Sequence, residues 1–108
     1  MTSTVELGDV CICRFPFTSG SDAKPRPVLV LRDLDADCLV CRITSVPHQG
    51  FLDLPVTYWR EAGLEKPSTM RLSRLLTVEK SLLRLRIGRL EPADLALVRR
   101  AWNEEFRL

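Results

Sequence analysis

The chain has 108 residues, of which 45% are hydrophobic and 28% charged, and a formal net charge of +2. These values fit a single domain over residues 1–108 with one core and exclude a disordered chain. The apolar run at residues 28–31 is far short of the ~20 residues that span a membrane, and the first ten residues carry Glu6 and Asp9 without an apolar signal core, so a cytoplasmic protein with no membrane association is expected.

Residues 9–17 read as a strand, with Val10, Ile12 and Arg14 on one face and Cys11, Cys13 and Phe15 on the other. Pro16 ends that strand or places it near an edge. Residues 18–24, which include Thr18, Gly20 and Lys24, form a polar loop. Residues 25–31 make a second strand whose first residues are straightened by Pro25 and Pro27. An acidic turn is expected over 32–37 and a third strand over 38–45, close enough to form a hairpin with the second. Residues 45–50, with Pro47 and Gly50, read as a loop, 51–56 as a short strand, and 58–63 as one helical turn stopped by Gly63. Residues 70–78 and 82–87 are two further strand-like segments.

The last segment is the clearest helix. Pro92 suits its first position, Asp94 its first turn, and Leu90 and Leu95 the spacing of a hydrophobic staple around Glu91. Leu95, Val98, Trp102 and Phe106 follow on one apolar face. The expected class is mainly β (α+β): a small, partly open SH3-like barrel of about five to seven strands covered by a C-terminal helix.

The polar chemistry is uneven. Three of the sixteen cations are lysines (Lys24, Lys66, Lys80) and the rest are arginines, whose planar fork suits phosphate or carboxylate; arginine-favouring codons account for the same bias without function. The four cysteines, Cys11, Cys13, Cys38 and Cys41, prompt a zinc reading. They stand inside apolar strand runs, where residues three apart face opposite ways with Cα atoms ~10 Å apart. Small buried hydrophobes in a reducing compartment are therefore favoured, with no metal. His48 is the lone histidine, set in a loop without a carboxylate neighbour in sequence. The five glycines are too scattered for a phosphate-binding loop or a dinucleotide fingerprint, and no cofactor is expected.

That leaves arginine, threonine and serine as working groups. Arg26 is aimed by its flanking prolines at the entry to an apolar strand, Thr44 and Ser45 end the third strand, and Arg71 and Ser73 share a face in Met70-Arg71-Leu72-Ser73-Arg74. For each alone, the competing reading is a surface cation or a strand-end cap.

Taken in order, several pieces resemble the PemK/MazF/Kid family of toxins from type II toxin–antitoxin systems. They are Gly8-Asp9-Val10 with Arg14-Phe15-Pro16-Phe17, Lys24-Pro25-Arg26-Pro27-Val28-Leu29-Val30-Leu31, Ile43-Thr44-Ser45, Trp59-Arg60-Glu61-Ala62-Gly63-Leu64 with Lys66-Pro67-Ser68, Arg71-Leu72-Ser73-Arg74-Leu75 and Ile87-Gly88-Arg89-Leu90. The resemblance implies a metal-independent, sequence-selective endoribonuclease of single-stranded RNA that leaves 2′,3′-cyclic phosphate and 5′-hydroxyl ends. It also implies a homodimer and a cognate antitoxin with a disordered acidic tail. In the family the matching arginine and threonine carry catalysis, which implies Arg26 and Thr44 here, with Arg71 in support. Ser45, Arg42, Ser73, Thr18, Lys24 and His48 are the further candidates for RNA contact. Two positions depart from the pattern: Val46 stands where relatives often have a polar residue, and Ser73 where they often carry aspartate. Alternatives are a family member that binds antitoxin or RNA without cleaving, or a gyrase-poison-like toxin on the same fold, in which Trp102 would be a working residue.

Overall fold

A computed structural model describes residues 4–14 and 24–108. The end of the first expected strand and Thr18 lie outside the described residues.

Alternating apolar residues build a hairpin from β2 (Pro25–Leu34) and β3 (Asp37–Thr44). The strands pair up to Leu34↔Asp37, so only Asp35 and Ala36 make the turn. The sequence placed an acidic turn over 32–37; it is shorter because Arg32 and Asp33 pair with Leu39 and Cys38. Asp35 takes φ 78°, a left-handed conformation that aspartate tolerates better than most residues. Its N–H donates to Asp33 Oδ1 at 2.8 Å. A bulge between Val30 and Arg32 leaves Leu31 without a partner in this ladder, and Leu31 packs into the core instead.

The hairpin lies at the centre of a six-stranded antiparallel sheet of order β4-β5-β3-β2-β1-β6. The other strands are β1 (Asp9–Arg14), β4 (Asp53–Val56), β5 (Ser68–Glu79) and β6 (Leu83–Arg89). A 3₁₀ turn at Lys80–Leu82 joins β5 to β6. Strands β4 and β6 are the two edges, so the barrel is open. Its six strands and one C-terminal helix match the α+β class expected from the sequence.

Strand alternation sorts the apolar side chains to two faces. Val10, Leu29, Cys41, Ile43, Met70 and Leu72 form one buried cluster, closed by Val98 of α1 (Pro92–Glu105). Cys11, Cys13, Val28, Val30, Cys38 and Val40 form the other, with Val5, Leu82 and Leu83 packed against it. Fully burying each valine or leucine contributes about 1.5–3 kcal/mol. Cys38 and Cys41 fall in different clusters, as strand alternation requires. All four cysteines are unpaired and buried. Burial pushes the thiols of Cys11, Cys13 and Cys38 up to about 11 and that of Cys41 to about 12. Among the described residues no group of three or more His, Cys, Asp or Glu could hold a metal ion.

Polar ties fix the ends of the sheet. Asp9 is 2% exposed; it accepts Arg89 Nη1 at 2.6 Å and the Glu6 N–H at 3.0 Å. Arg89 also donates to the Leu7 carbonyl at 3.1 Å, which fastens the residues before β1 to β6. Helix α1 begins with Pro92 after Glu91, as expected. Its apolar face packs on the core through Leu95, Val98 and Trp102, and Phe106, one residue beyond the helix, stacks on Trp102 at 4.3 Å between ring centroids. Asp94 does more than favour the helix start. Buried at 2% exposure, it accepts the N–H groups of Thr57 at 3.1 Å and Tyr58 at 2.9 Å, joining the helix to the end of β4.

Residues 58–63 form the expected turn. The Ala62 N–H reaches the Tyr58 carbonyl at 3.1 Å and the Leu64 N–H reaches the Trp59 carbonyl at 3.0 Å. Gly63 follows at φ +87°. Any Cβ at Gly63 would overlap the Ile87 carbonyl, and any Cβ at Gly88 would overlap the Ala62 carbonyl. The two glycines therefore let the turn lie directly on β6.

Two stability outcomes are expected. Asp94→Ala leaves two backbone donors without their acceptor and should cost about 1–3 kcal/mol, read as a lower urea midpoint with an unchanged m-value. Gly88→Ala should destabilise by a comparable amount, because backbone rather than a flexible side chain must move; a thermal melt checks it.

Candidate active site

The β2–β3 register pairs Val28 with Arg42. Two residues further along each strand, toward β2's start and β3's end, stand Arg26 and Thr44. The prolines beside Arg26 occur at the beginning of β2, where Pro25 and Pro27 pair with Arg14 and Ile12 of β1. Thr44 Oγ accepts the Val46 N–H at 3.1 Å, which turns the chain out of the strand and leaves the hydroxyl hydrogen as a donor.

Arg26, Thr44 and Ser45 line one groove of about 460 Å³, whose apolar floor includes Ile43 and Leu64. The other side of the groove is residues 63–68, brought over the strand ends by the Gly63–Gly88 contact. That side adds Glu65, Lys66 and Ser68. The Ser68 hydroxyl donates to the Lys66 carbonyl at 2.8 Å, pinning the segment just before β5. Val46, the first departure from the family pattern, lines the rim and is 59% exposed.

Beside the groove, the sheet concentrates positive charge. Arg42 pairs directly with Arg71 across the β3–β5 ladder. Burial, and then repulsion from Arg26, Arg71 and Arg74, hold the Arg42 guanidinium below its ordinary range. Like charges set side by side on a sheet are destabilising, and a bound anion relieves that repulsion.

One carboxylate offsets part of this charge. Arg71 Nε donates to Asp53 Oδ1 at 3.0 Å, with the Asp53 side chain only 1% exposed. The Gly50 N–H donates to Asp53 Oδ2 at 2.8 Å. Burial alone would raise the Asp53 pKa; the Arg71 and Gly50 bonds outweigh it and hold the carboxyl below its ordinary range. Arg71 thus ties β5 to the first residue of β4, and Asp53 in turn holds the loop before that strand.

The remaining sequence candidates are scattered. Ser73 is exposed and stands where β5 skips from Arg71 to Leu75 in its pairing with β3; it does not line the groove. His48 is half-buried in the 45–50 loop, where its charge helps to lower the Asp53 pKa, and it too is absent from the groove lining. Lys24 is exposed just before β2. Thr18 lies outside the described residues. Trp102 is packed against the core. The sequence reading did not single out Glu65, Asp53, Lys66 or Ser68 as site residues, although Lys66-Pro67-Ser68 was among the pieces that carried the resemblance.

The comparisons with known proteins agree with this fold. A family model described as PemK-like, MazF-like toxin of type II toxin–antitoxin system matches residues 6–106. Among curated proteins no significant match is found. Among solved structures, the Mycobacterium tuberculosis toxin MazF-mt6 is 22% identical with a TM-score of 0.74, over 91% of this chain and 95% of that one. A mycobacterial endoribonuclease in complex with its cognate antitoxin is 16% identical with a TM-score of 0.78, over 95% of both chains. MazF from Deinococcus radiodurans (Form-I) is 15% identical with a TM-score of 0.74, over 96% of this chain and 97% of that one. The chain belongs to the PemK-like, MazF-like toxin family of type II toxin–antitoxin systems.

The Asp53–Arg71 pair gives a pH prediction. Because the folded Asp53 pKa is lowered, its contribution to stability is fully present above about pH 4 and is lost as pH falls through the folded value. Asp53→Asn should lower the urea midpoint at neutral pH, and the gap from the parent chain should close as pH falls toward about 2.

Proposed function

We propose that this chain is the toxin of a type II toxin–antitoxin pair and acts as a metal-independent endoribonuclease on single-stranded RNA. The observation that carries the reading is the meeting of Arg26 and Thr44 on one groove beside an arginine-rich sheet face. The ribose 2′-hydroxyl attacks the adjacent phosphorus, and the bond to the 5′-oxygen breaks. The products are a 2′,3′-cyclic phosphate and a 5′-hydroxyl, so no protein nucleophile is used.

Negative charge then builds on the phosphate oxygens. Arg26 holds the phosphate and disperses that charge, while the Thr44 hydroxyl, oriented by the Val46 N–H, donates to a phosphate oxygen. An arginine with a pKa above ~12 is a poor acid, so its work is electrostatic. Arg42 and Arg74 would hold neighbouring phosphates. Bases would be read unpaired, because A-form duplex hides their edges; the polar loops read from the sequence at 18–24 and 46–50 are the candidates for reading them.

The chain works in the cytoplasm as a homodimer, and its action arrests growth until an antitoxin binds. The arginine patch would accept the antitoxin's acidic tail, which orders as it binds.

Arg26→Ala or Thr44→Ala should slow cleavage of single-stranded RNA by about 10²–10³ without lowering the thermal midpoint. Parent-level cleavage by both variants would overturn the site. EDTA should leave the rate unchanged. Mapping of RNA ends after induction should show new 5′-hydroxyl ends; DNA breaks instead would point to a gyrase poison. Arg42→Ala should weaken RNA binding across sequences and reduce the slope of log affinity against log salt by about 0.7.

A further inference from the structure

The proposed reaction needs a group to take the proton from the 2′-hydroxyl, and the described residues near the groove offer four candidates: Ser73, Asp53, His48 and Glu65. Ser73, where relatives often carry a carboxylate, is exposed outside the groove lining and is too weakly basic to accept that proton. Asp53 is buried and takes bonds from Arg71 and Gly50. His48 is not among the lining residues. The charged side chains lining the groove, among the described residues, are Arg26, Lys66 and Glu65, and Glu65 is the only carboxylate.

Glu65 also has the mounting that a proton acceptor needs. It is exposed, yet the residue before it, Leu64, is 8% exposed in the core. The Leu64 N–H is bonded to the Trp59 carbonyl, and the Lys66 carbonyl after it is bonded by Ser68. Gly63 is locked against β6. Glu65 therefore lines the groove from a held backbone, in a different segment from the strands that carry Arg26 and Thr44. In-line displacement places the attacking and leaving oxygens on opposite sides of phosphorus, with the non-bridging oxygens between them, so a proton acceptor at the 2′-oxygen is a separate group from those that hold the non-bridging oxygens.

We propose that Glu65 is the general base of this enzyme. The proposal rests on the ribonuclease reading above. The Glu65 carboxylate takes the 2′-hydroxyl proton as the 2′-oxygen–phosphorus bond forms. The phosphorus–5′-oxygen bond breaks with its electron pair leaving on the 5′-oxygen, which takes a proton from water. Glu65 then returns its proton to solvent, leaving the cyclic phosphate and the 5′-hydroxyl. Arg26 and Lys66 are the cations that line the groove with it.

The test uses the full-length chain and an RNA it cleaves. Affinity is measured on the same RNA with a 2′-deoxy substitution at the scissile nucleotide. Glu65→Gln should lower kcat by about 10²–10⁴, leave affinity within about twofold, and remove the rise in rate from acid pH expected of the parent; Glu65→Asp should recover part of kcat. An unchanged kcat and pH profile in Glu65→Gln, with Arg26→Ala inactive, would overturn Glu65 and leave the ribonuclease reading standing. A loss confined to affinity would make Glu65 a binding residue and overturn its role as base. Parent-level cleavage by both Arg26→Ala and Thr44→Ala would overturn the site and Glu65 with it. Thermal melts of each variant separate these outcomes from unfolding.

Discussion

The backbone contact between Gly63 and Gly88 decides whether this chain has a groove at all. An open sheet presents its strand ends to solvent, and strand ends alone make a surface rather than a cleft. The second wall comes from residues 63–68, which cross over those ends only because neither glycine has a Cβ to hold the turn away from β6. Leu64 then seats in the core and Ser68 ties off the following carbonyl. Two atoms absent from the side chains thus create a site whose chemical groups come from three separate stretches of the sequence.

Charge is arranged around that groove with a definite imbalance. Placing Arg42 opposite Arg71 on neighbouring strands costs stability, and burial of Arg42 deepens the cost. Asp53 compensates for one member of the group and fixes it in place. Arg26, Arg42, Arg71 and Arg74 together make a concentration of positive charge that a polyanion can approach. A sheet face of this kind favours a phosphate backbone and an acidic peptide for the same electrostatic reason, so a substrate and an inhibitor drawn to it would compete.

The fold was largely legible in the residues. Alternation in β1, β2 and β3, the prolines at the entry to β2 and the spacing from Pro92 to Phe106 all follow rules that act within a few residues, and the structure follows them. The turn between β2 and β3 was misjudged because acidic residues look alike in a loop and at a strand end; the ladder to Leu39 and Cys38 overrides their local preference. At the site, strand-end position made Arg26 and Thr44 candidates and the family resemblance gave them their role; their shared lining of one groove follows from the register. Asp53 and Glu65 were not visible in the same way. Each matters through a partner or a neighbour distant in sequence, and nothing in Gly50-Phe51-Leu52-Asp53 or Gly63-Leu64-Glu65-Lys66 announces which carboxylate will be buried against an arginine and which will face the groove.

The cysteines carry a consequence for chemical durability. A thiol held at about 11 is ionised in only about one molecule in ten thousand at neutral pH, and peroxides and alkylating agents react with the thiolate. Burial on the two faces of the sheet adds a physical barrier to that scarcity. The chain therefore has four thiols and little thiol reactivity in its folded form. In a cell under oxidative attack, its folded state would persist while proteins with exposed, ionised thiols were being modified.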